Sequence, residues 1–293
     1  MAAERSDAAS APGEPRFAMS VDVEDYFQVW AFSDVISRDS WDGFALRAGD
    51  STRRCLDLFD ASGAKATFFT LGWIAERDPA LIREIVRRGH ELASHGYDHT
   101  KATAQSCDAF RQDVRRTKAM LEDIAGVAVS GYRAAGFSID RTTPWAHTVL
   151  AEEGYLYSSS SHPIAHDHYG DATAPQVPHE PIDGSSFIEA PVATTRLWGK
   201  RISCAGGGWF RAAPLSVSTR LIARAARLNA PVIFYFHPWE IDPDQPRIIS
   251  ASRKAKLRHY LNLNSMSAKL DRLLAKWRWR RVDSALGLDG ASS

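Results

Sequence analysis

Three short apolar runs in this chain each end in ionisable residues, and that recurrence narrows the folds open to it. Residues 16–21 (RFAMSV) lead into Asp22, Glu24 and Asp25. Residues 90–94 (HELAS) deliver His95 and, four positions on, His99. Residues 232–236 (VIFYF) end in His237. Runs rich in β-branched and aromatic residues predict buried strands, and barrel enzymes place their chemistry at the C-terminal ends of strands. Neutral imidazole is the commonest protein metal ligand. The His95–His99 spacing predicts one face of a helical turn, from which both rings reach one ion. Folding is therefore expected to gather the three stretches around one divalent metal.

The intervening segments supply helices. Residues 50–62 place Cys55, Leu56 and Phe59 on one face and meet a stop at Gly63. Residues 65–71 predict an interior strand. Asp78 and Pro79 predict a helix start, as cap and first-turn proline, and Gly89 ends that helix. An amphipathic helix is predicted over 103–125 and another over about 143–153, stopped at Gly154. A strand follows at 187–192, a helix at 214–228 and a helix at about 265–276. Strand, helix and strand with short links is the pattern of parallel α/β architecture. Gly206-Gly207-Gly208-Trp209 is too glycine-dense for an element interior and predicts a tight turn against the cleft. Tyr26, Phe27, Trp30 and Phe32 are expected in a cleft wall or the core. Residues 162–187 predict a long irregular loop. Its His162, His166, Asp167, His168 and His179 favour a solvated, substrate-facing loop over a second metal site.

Composition excludes several classes. At 293 residues and 44% hydrophobic, the chain suits one large barrel domain. Lys+Arg 36 against Asp+Glu 35 leaves a net charge of +1, so no global pull toward nucleic acid or anionic membrane exists. The basic, aromatic stretch Trp277 to Arg281 is expected to pack on the barrel as part of a closing helix, with arginine stems over aromatic surface. No run approaches about 18 apolar residues, so no stable membrane insertion is expected. Cys55, Cys107 and Cys204 form neither CxxC nor a disulfide framework, which suits a reducing compartment. Residues 1–15 lack the apolar core of a signal peptide and are expected to be a disordered leader, making the cytoplasm the expected location.

The chain resembles the polysaccharide deacetylase family, the NodB-homology carbohydrate esterases. The resemblance rests on SVDVEDYFQV (20–29), ATFFTLGWIAE (66–76), HELASHGYDH (90–99), GYRAAGFSID (131–140), GGGWFR (206–211), FYFHPWEIDPDQPR (234–247) and RHYLNL (258–263). Within that family it is most similar to deacetylases associated with bacterial exosortase (PEP-CTERM) and exopolysaccharide gene clusters. The resemblance implies a distorted (β/α) barrel of seven strands spanning residues 16–263, with 264–293 as a C-terminal helical extension packed on or trailing from it. It also implies metal-assisted removal of N-acetyl groups from the amino-sugar units of a polysaccharide, an exopolysaccharide or its precursor. Asp22 then corresponds to the catalytic base, His237 to the general acid and Arg133 to the arginine that orients the base. Glu24, His95 and His99 correspond to the metal ligands, with Asp25 competing for the role of Glu24. Gly136, Trp239 and Trp209 are oxyanion or substrate candidates.

This assignment is chemically coherent. Two histidines and one carboxylate leave open positions on a metal. A divalent ion polarises an amide carbonyl and lowers the pKa of bound water. Zinc is the expected ion by ligand type, though iron, cobalt or nickel fit the same set. Two departures from the family pattern stand out. Ala135 replaces the proline of the family's RxP, which is expected to loosen the oxyanion loop. The run Ser158 to Ser161 occupies the place where relatives carry an Asp that supports the catalytic histidine, and Asp167 is a possible substitute. Two other readings remain open: an allantoinase-like hydrolase of another C–N bond, and a catalytically weakened carbohydrate-binding scaffold.

Overall fold

The computed structural model describes residues 16–164, 170–228 and 230–289. The expected leader, together with His166, Asp167 and His168, lies outside the described residues.

The first strand, β1 (Phe17–Val23), is buried at every position. A run without alternation is what a strand covered on both faces requires. Helix α1 (Ala48–Ser62) follows and ends at Gly63, whose φ of +67° gives the left-handed cap expected there. Next come β2 (Ala66–Thr70), α2 (Gly72–Arg77) and α3 (Pro79–Arg87). The Asp78 side chain accepts from the Leu81 N–H at 3.0 Å, with Pro79 in the first turn. β3 (Glu91–Ser94) leads to α4 (Cys107–Ala125). That helix starts four residues later than its periodicity suggests because Ser106 caps it, accepting from Ala109 N–H at 3.2 Å.

The second half is built from shorter pieces. It runs β4 (Gly131–Tyr132), α5 (Trp145–Glu152), β5 (Tyr157–Ser158) and β6 (Ile188–Glu189). A hairpin follows, β7 (Thr194–Leu197) and β8 (Lys200–Ser203), then α6 (Gly207–Ala212) and α7 (Leu215–Ala225). β9 (Val232–Phe236), α8 (Arg253–Tyr260), α9 (Leu263–Leu274), β10 (Trp279–Arg280) and α10 (Val282–Leu286) complete the chain.

Seven parallel strands follow one path, β9-β1-β2-β3-β4-β5-β6. The sheet curls until the chain after β6 returns to β9: Ala193 N–H donates to Ile233 O at 3.1 Å, and Tyr235 N–H donates to Ala205 O at 2.9 Å. This is the seven-stranded distorted barrel expected from the sequence. Because the strands are parallel, Asp22, His95 and His237 all emerge at one mouth.

Three local expectations need correction. The glycine-rich segment 206–208 is no turn: Gly206 is the N-cap of α6. Its glycines allow close packing rather than a reversal, since a Cβ on Gly206 would meet the Tyr235 ring at 2.8 Å and one on Gly207 would collide with the Glu240 carboxylate. Next, the His95–His99 stretch is an irregular loop and not a helical turn, with Gly96 at φ +73° and His99 at φ +61°. The N-terminal amides of α2 hold it: Gly72 N–H donates to Gly96 O and Trp73 N–H to Tyr97 O, both at 2.9 Å. Finally, Trp279 and Arg280 form a strand, pairing with Phe17 and Ala18 on the β2 side of β1. Trp277 stacks on Phe17 with ring centroids 4.6 Å apart, and Met266, Leu270 and Leu273 of α9 share the β1 core.

Candidate metal centre and active site

Strand β1 turns sharply at its end. Glu24 N–H bonds back to Asp22 O at 3.0 Å, and both carboxylates stay buried at the mouth. Asp25 points elsewhere. Its oxygens accept from Tyr26, Arg47 and Ala48 N–H groups at 2.7–2.8 Å, tying the strand end to the start of α1. The carboxylate beside the two histidines is therefore that of Glu24.

Glu24, His95 and His99 bring one ligand atom each within 4.8 Å of one another. His95 Nδ1 lies 2.7 Å from Arg133 O. A carbonyl only accepts, so Nδ1 carries the proton and Nε2 presents a lone pair. Burial, opposed by the Asp22 and Glu24 carboxylates, pushes His95 down to about 4 and keeps it neutral. Glu24 Oε1 accepts from Trp239 Nε1 at 3.2 Å. Glu24 Oε2 is buried without a hydrogen-bond donor, although His99 Nε2 stands 3.0 Å away. Burial disfavours the Glu24 anion, but the neighbouring His99, His237 and His95 outweigh it and hold the carboxyl well below its usual range. An orphaned carboxylate oxygen facing two imidazoles is the environment a cation completes, so the donor set fits a divalent metal.

Beside this cluster stands the predicted base. Asp22 Oδ1 accepts from Arg133 Nη1 at 2.6 Å. Arg133 is fully buried, with its guanidinium 4.0 Å from the Phe69 ring centroid. It also donates to Ser20 Oγ, Ser159 O and Ser159 Oγ at 2.9–3.0 Å. The serine run thus frames the arginine: Ser160 Oγ accepts from Ala134 N–H at 2.8 Å, and the Ser160 and Ser161 amides donate to Glu189.

The predicted acid faces them. His237 Nε2 lies 3.5 Å from Glu24 Oε1 and 4.0 Å from Asp22 Oδ2. Its Nδ1 lies 2.9 Å from Glu240 Oε1. Burial works against the His237 imidazolium, yet Glu24, Glu240 and Asp22 outweigh it and raise the ring to about 9. Glu240 had no assigned part in the sequence reading. Its signal was present in His237-Pro238-Trp239-Glu240: proline at the first position of a short helical turn folds the third residue of that turn, Glu240, back on its N-cap, His237.

The substrate candidates separate. Trp239 is buried and stacks against His237 and His259, with ring centroids at 5.2 and 4.1 Å. Its indole holds Glu24 and the imidazole instead of offering a face to a sugar. Trp209 is 40% exposed on α6. Gly136, at φ +59°, follows Arg133 and packs against Lys101; no described contact joins it to the cluster. A cavity of about 260 Å³ does reach His99, and Trp30, Trp41, Arg38 and Lys101 line it. Trp30 is 46% exposed, with Lys101 Nζ 3.7 Å over its ring. Trp30 is thus a cleft-wall aromatic, as the sequence suggested, while Tyr26, Phe27 and Phe32 belong to the core. Of the loop histidines, His162 is buried against Phe137 and Tyr235, and His179 bridges to Glu189 through its backbone.

Residues 40–158 match the family model described as polysaccharide deacetylase, and residues 159–287 match one described as a domain of unknown function, DUF3473. The first includes His95, His99 and Arg133; the second includes His237; Asp22 and Glu24 precede both. A peptidoglycan-N-acetylglucosamine deacetylase of Bacillus cereus is 31% identical over 96 residues, 32% of this chain and 35% of that protein. A peptidoglycan deacetylase of Helicobacter pylori is 28% identical over 107 residues, covering 36% of each. The match thus spans about a third of the length of these curated relatives. Among solved structures, a Mycobacterium smegmatis protein described as a polysaccharide deacetylase superposes with a TM-score of 0.61 at 21% identity, over 97% of this chain and 95% of that one. The likeness establishes the fold. The likeness to the polysaccharide deacetylase family thus rests on residues 40–158 and on relatives matched over about a third of this chain.

Proposed function

We propose that this protein is a divalent-metal-dependent hydrolase that removes N-acetyl groups from amino-sugar units of a polysaccharide. The observation that carries the reading is the trio of buried Glu24 and His95 with partly buried His99, with an undonated carboxylate oxygen, set between Asp22 and His237. A divalent ion held there would supply Lewis acidity to an amide carbonyl and to a water molecule. Asp22, fixed by Arg133, takes the water's proton. His237, on the other side, protonates the departing amine, which is otherwise a poor leaving group. Trp30 and the cavity beside His99 offer a face on which a pyranose can stack. Zinc suits the ligand set best. An exopolysaccharide or its precursor is the substrate favoured by the sequence resemblance.

The test pairs metal content with acetate release from N-acetylglucosamine oligomers, beside a His95→Ala variant. Stoichiometric metal and acetate release, both lost in the variant, support the proposal. Metal without release from any N-acetylated glycan would redirect it to a different amide. Failure to bind metal after reconstitution would leave a carbohydrate-binding scaffold.

A further inference from the structure

We propose that Glu240 and Arg211 are positioning residues for His237: together they hold a proton on Nδ1, so that Nε2 is the nitrogen that exchanges its proton with the substrate. This rests on the role of His237 in the deacetylase reading.

Among the described residues, the hydrogen-bond partners of the Glu240 carboxylate are donors or are made so by it. Oε1 accepts from His237 N–H at 3.0 Å and lies 2.9 Å from His237 Nδ1. Oε2 accepts from Arg211 Nε at 2.7 Å. An ionised carboxylate has no proton to give, so Nδ1 must donate. The proton-exchanging atom is then Nε2, the nitrogen that faces Asp22 and Glu24. Arg211 is buried and fixed from behind, its Nη1 donating to His259 O at 2.9 Å and to Leu261 O at 2.5 Å. The support of the imidazole is therefore anchored to the junction of α8 and α9, far along the chain from the strand that carries the ring.

Two further features belong to this arrangement. Gly207 leaves the space that the Glu240 carboxylate fills, so the glycine-rich start of α6 is explained by the same contact. The serine run, where the sequence reading looked for a supporting acid, is engaged with Arg133, Ala134 and Glu189. A buried Arg–Glu pair is seldom needed for stability alone, since an apolar pair of similar volume often serves as well. Spending the second carboxylate oxygen on His237 gives this pair a reason to exist.

The experiment compares Glu240→Gln, His237→Ala and the double variant in the full-length, zinc-loaded protein. It also reads the His237 tautomer by ¹⁵N NMR. A glutamine must turn its NH₂ toward either Arg211 or His237, both of which need an acceptor. Glu240→Gln is expected to lower kcat for acetate release by about 100-fold, with KM and bound zinc unchanged. The double variant should lose no more than His237→Ala alone, because Glu240 acts through that ring. Read at a pH alkaline enough for the ring to hold a single proton, the unmodified protein should show the Nδ1–H tautomer. An Nε2–H tautomer, a kcat kept within about twofold, or an additive further loss in the double variant would each overturn the proposal. If the parent protein releases no acetate, the deacetylase reading fails, while the tautomer still decides the positioning role. It decides equally if Glu240→Gln does not fold.

Discussion

Strand β3 carries a buried ionisable group at each end, and the two ends follow opposite electrostatic rules. At the mouth of the barrel it delivers His95 into a cluster where every carboxylate has a cationic or imidazole neighbour. Asp22 has Arg133, Glu240 has Arg211, and Glu24 faces three histidines. Burial disfavours the Glu240 anion, but Arg211 and His237 outweigh it and hold the carboxyl at about 2. At the other end, β3 begins with Glu91, which is also buried but, among the described residues, has neutral donors: Thr67 Oγ1, Tyr157 Oη at 2.7 Å and Asp283 N–H at 3.3 Å. Burial there, reinforced by the nearby Asp283 carboxylate, drives Glu91 well above the ordinary carboxylate range. Glutamates buried at both ends thus take opposite charge states. Burial alone does not set a carboxylate's charge; the partner does.

Breaking the pairing at the mouth should have the largest effects. Glu24→Ala removes the only carboxylate of the trio and is expected to abolish stoichiometric metal binding, measured by elemental analysis of the purified protein, and acetate release with it. A variant that retains both would remove Glu24 from the site. Arg133→Met strands the Asp22 anion in the interior and is expected to cost about 3–5 kcal/mol of stability in a denaturant titration. The double variant Asp22→Asn/Arg133→Met should recover most of that loss, since no buried charge is left unpaired. If the double variant is as unstable as the single, the damage lies in the serine framework around Arg133 and not in charge.

The same contrast shows what could be read from the sequence. Strand ends were legible because buried apolar runs stop abruptly at Asp22, His95 and His237, and helix caps at Asp78 and Gly63 follow directly from local chemistry. The mouth was therefore assembled correctly in outline from three distant stretches. What escaped were contacts that depend on how a side chain turns after its element ends. Asp25 and Glu24 are adjacent, and only the turn after β1 sends one to the helix start and the other to the imidazoles. Glu240 reaches His237 only because residues 238–241 coil back, and Arg211 arrives from another element altogether. The four-residue histidine spacing suggested a helix, but Gly96 in the left-handed region and the capping amides of α2 impose a loop. Trp279 sits in a short strand because its pairing with Phe17 is non-local, which periodicity does not reveal.

The opposite end of the barrel sharpens the comparison with smaller, pH-dependent effects. The folded state holds Glu91 protonated at pH values where the unfolded chain has already released the proton. That favourable contribution is complete below the ordinary carboxyl value of 4.5 and is lost as pH rises through the folded-state value. Glu91→Gln keeps a neutral group of the same shape. It should match the parent in acid, exceed it in stability at alkaline pH, and flatten the stability–pH slope in parallel urea titrations. A slope left unchanged would mean that Glu91 is charged in the fold and the contrast between the two ends is wrong.

The smallest change, Tyr157→Phe, removes the neutral donor to Glu91 that comes from β5. Losing a single buried hydrogen bond is expected to cost about 1 kcal/mol. The direction of its pH dependence is the informative part. The tyrosine hydroxyl donates and so favours the carboxylate; without it the neutral acid is favoured more strongly, and the variant's deficit should widen toward alkaline pH. A deficit that instead narrows toward alkaline pH would show the hydroxyl accepting a hydrogen bond from a neutral Glu91. The barrel floor would then resemble the mouth in one respect only, that each acid's charge follows from which partner holds the proton.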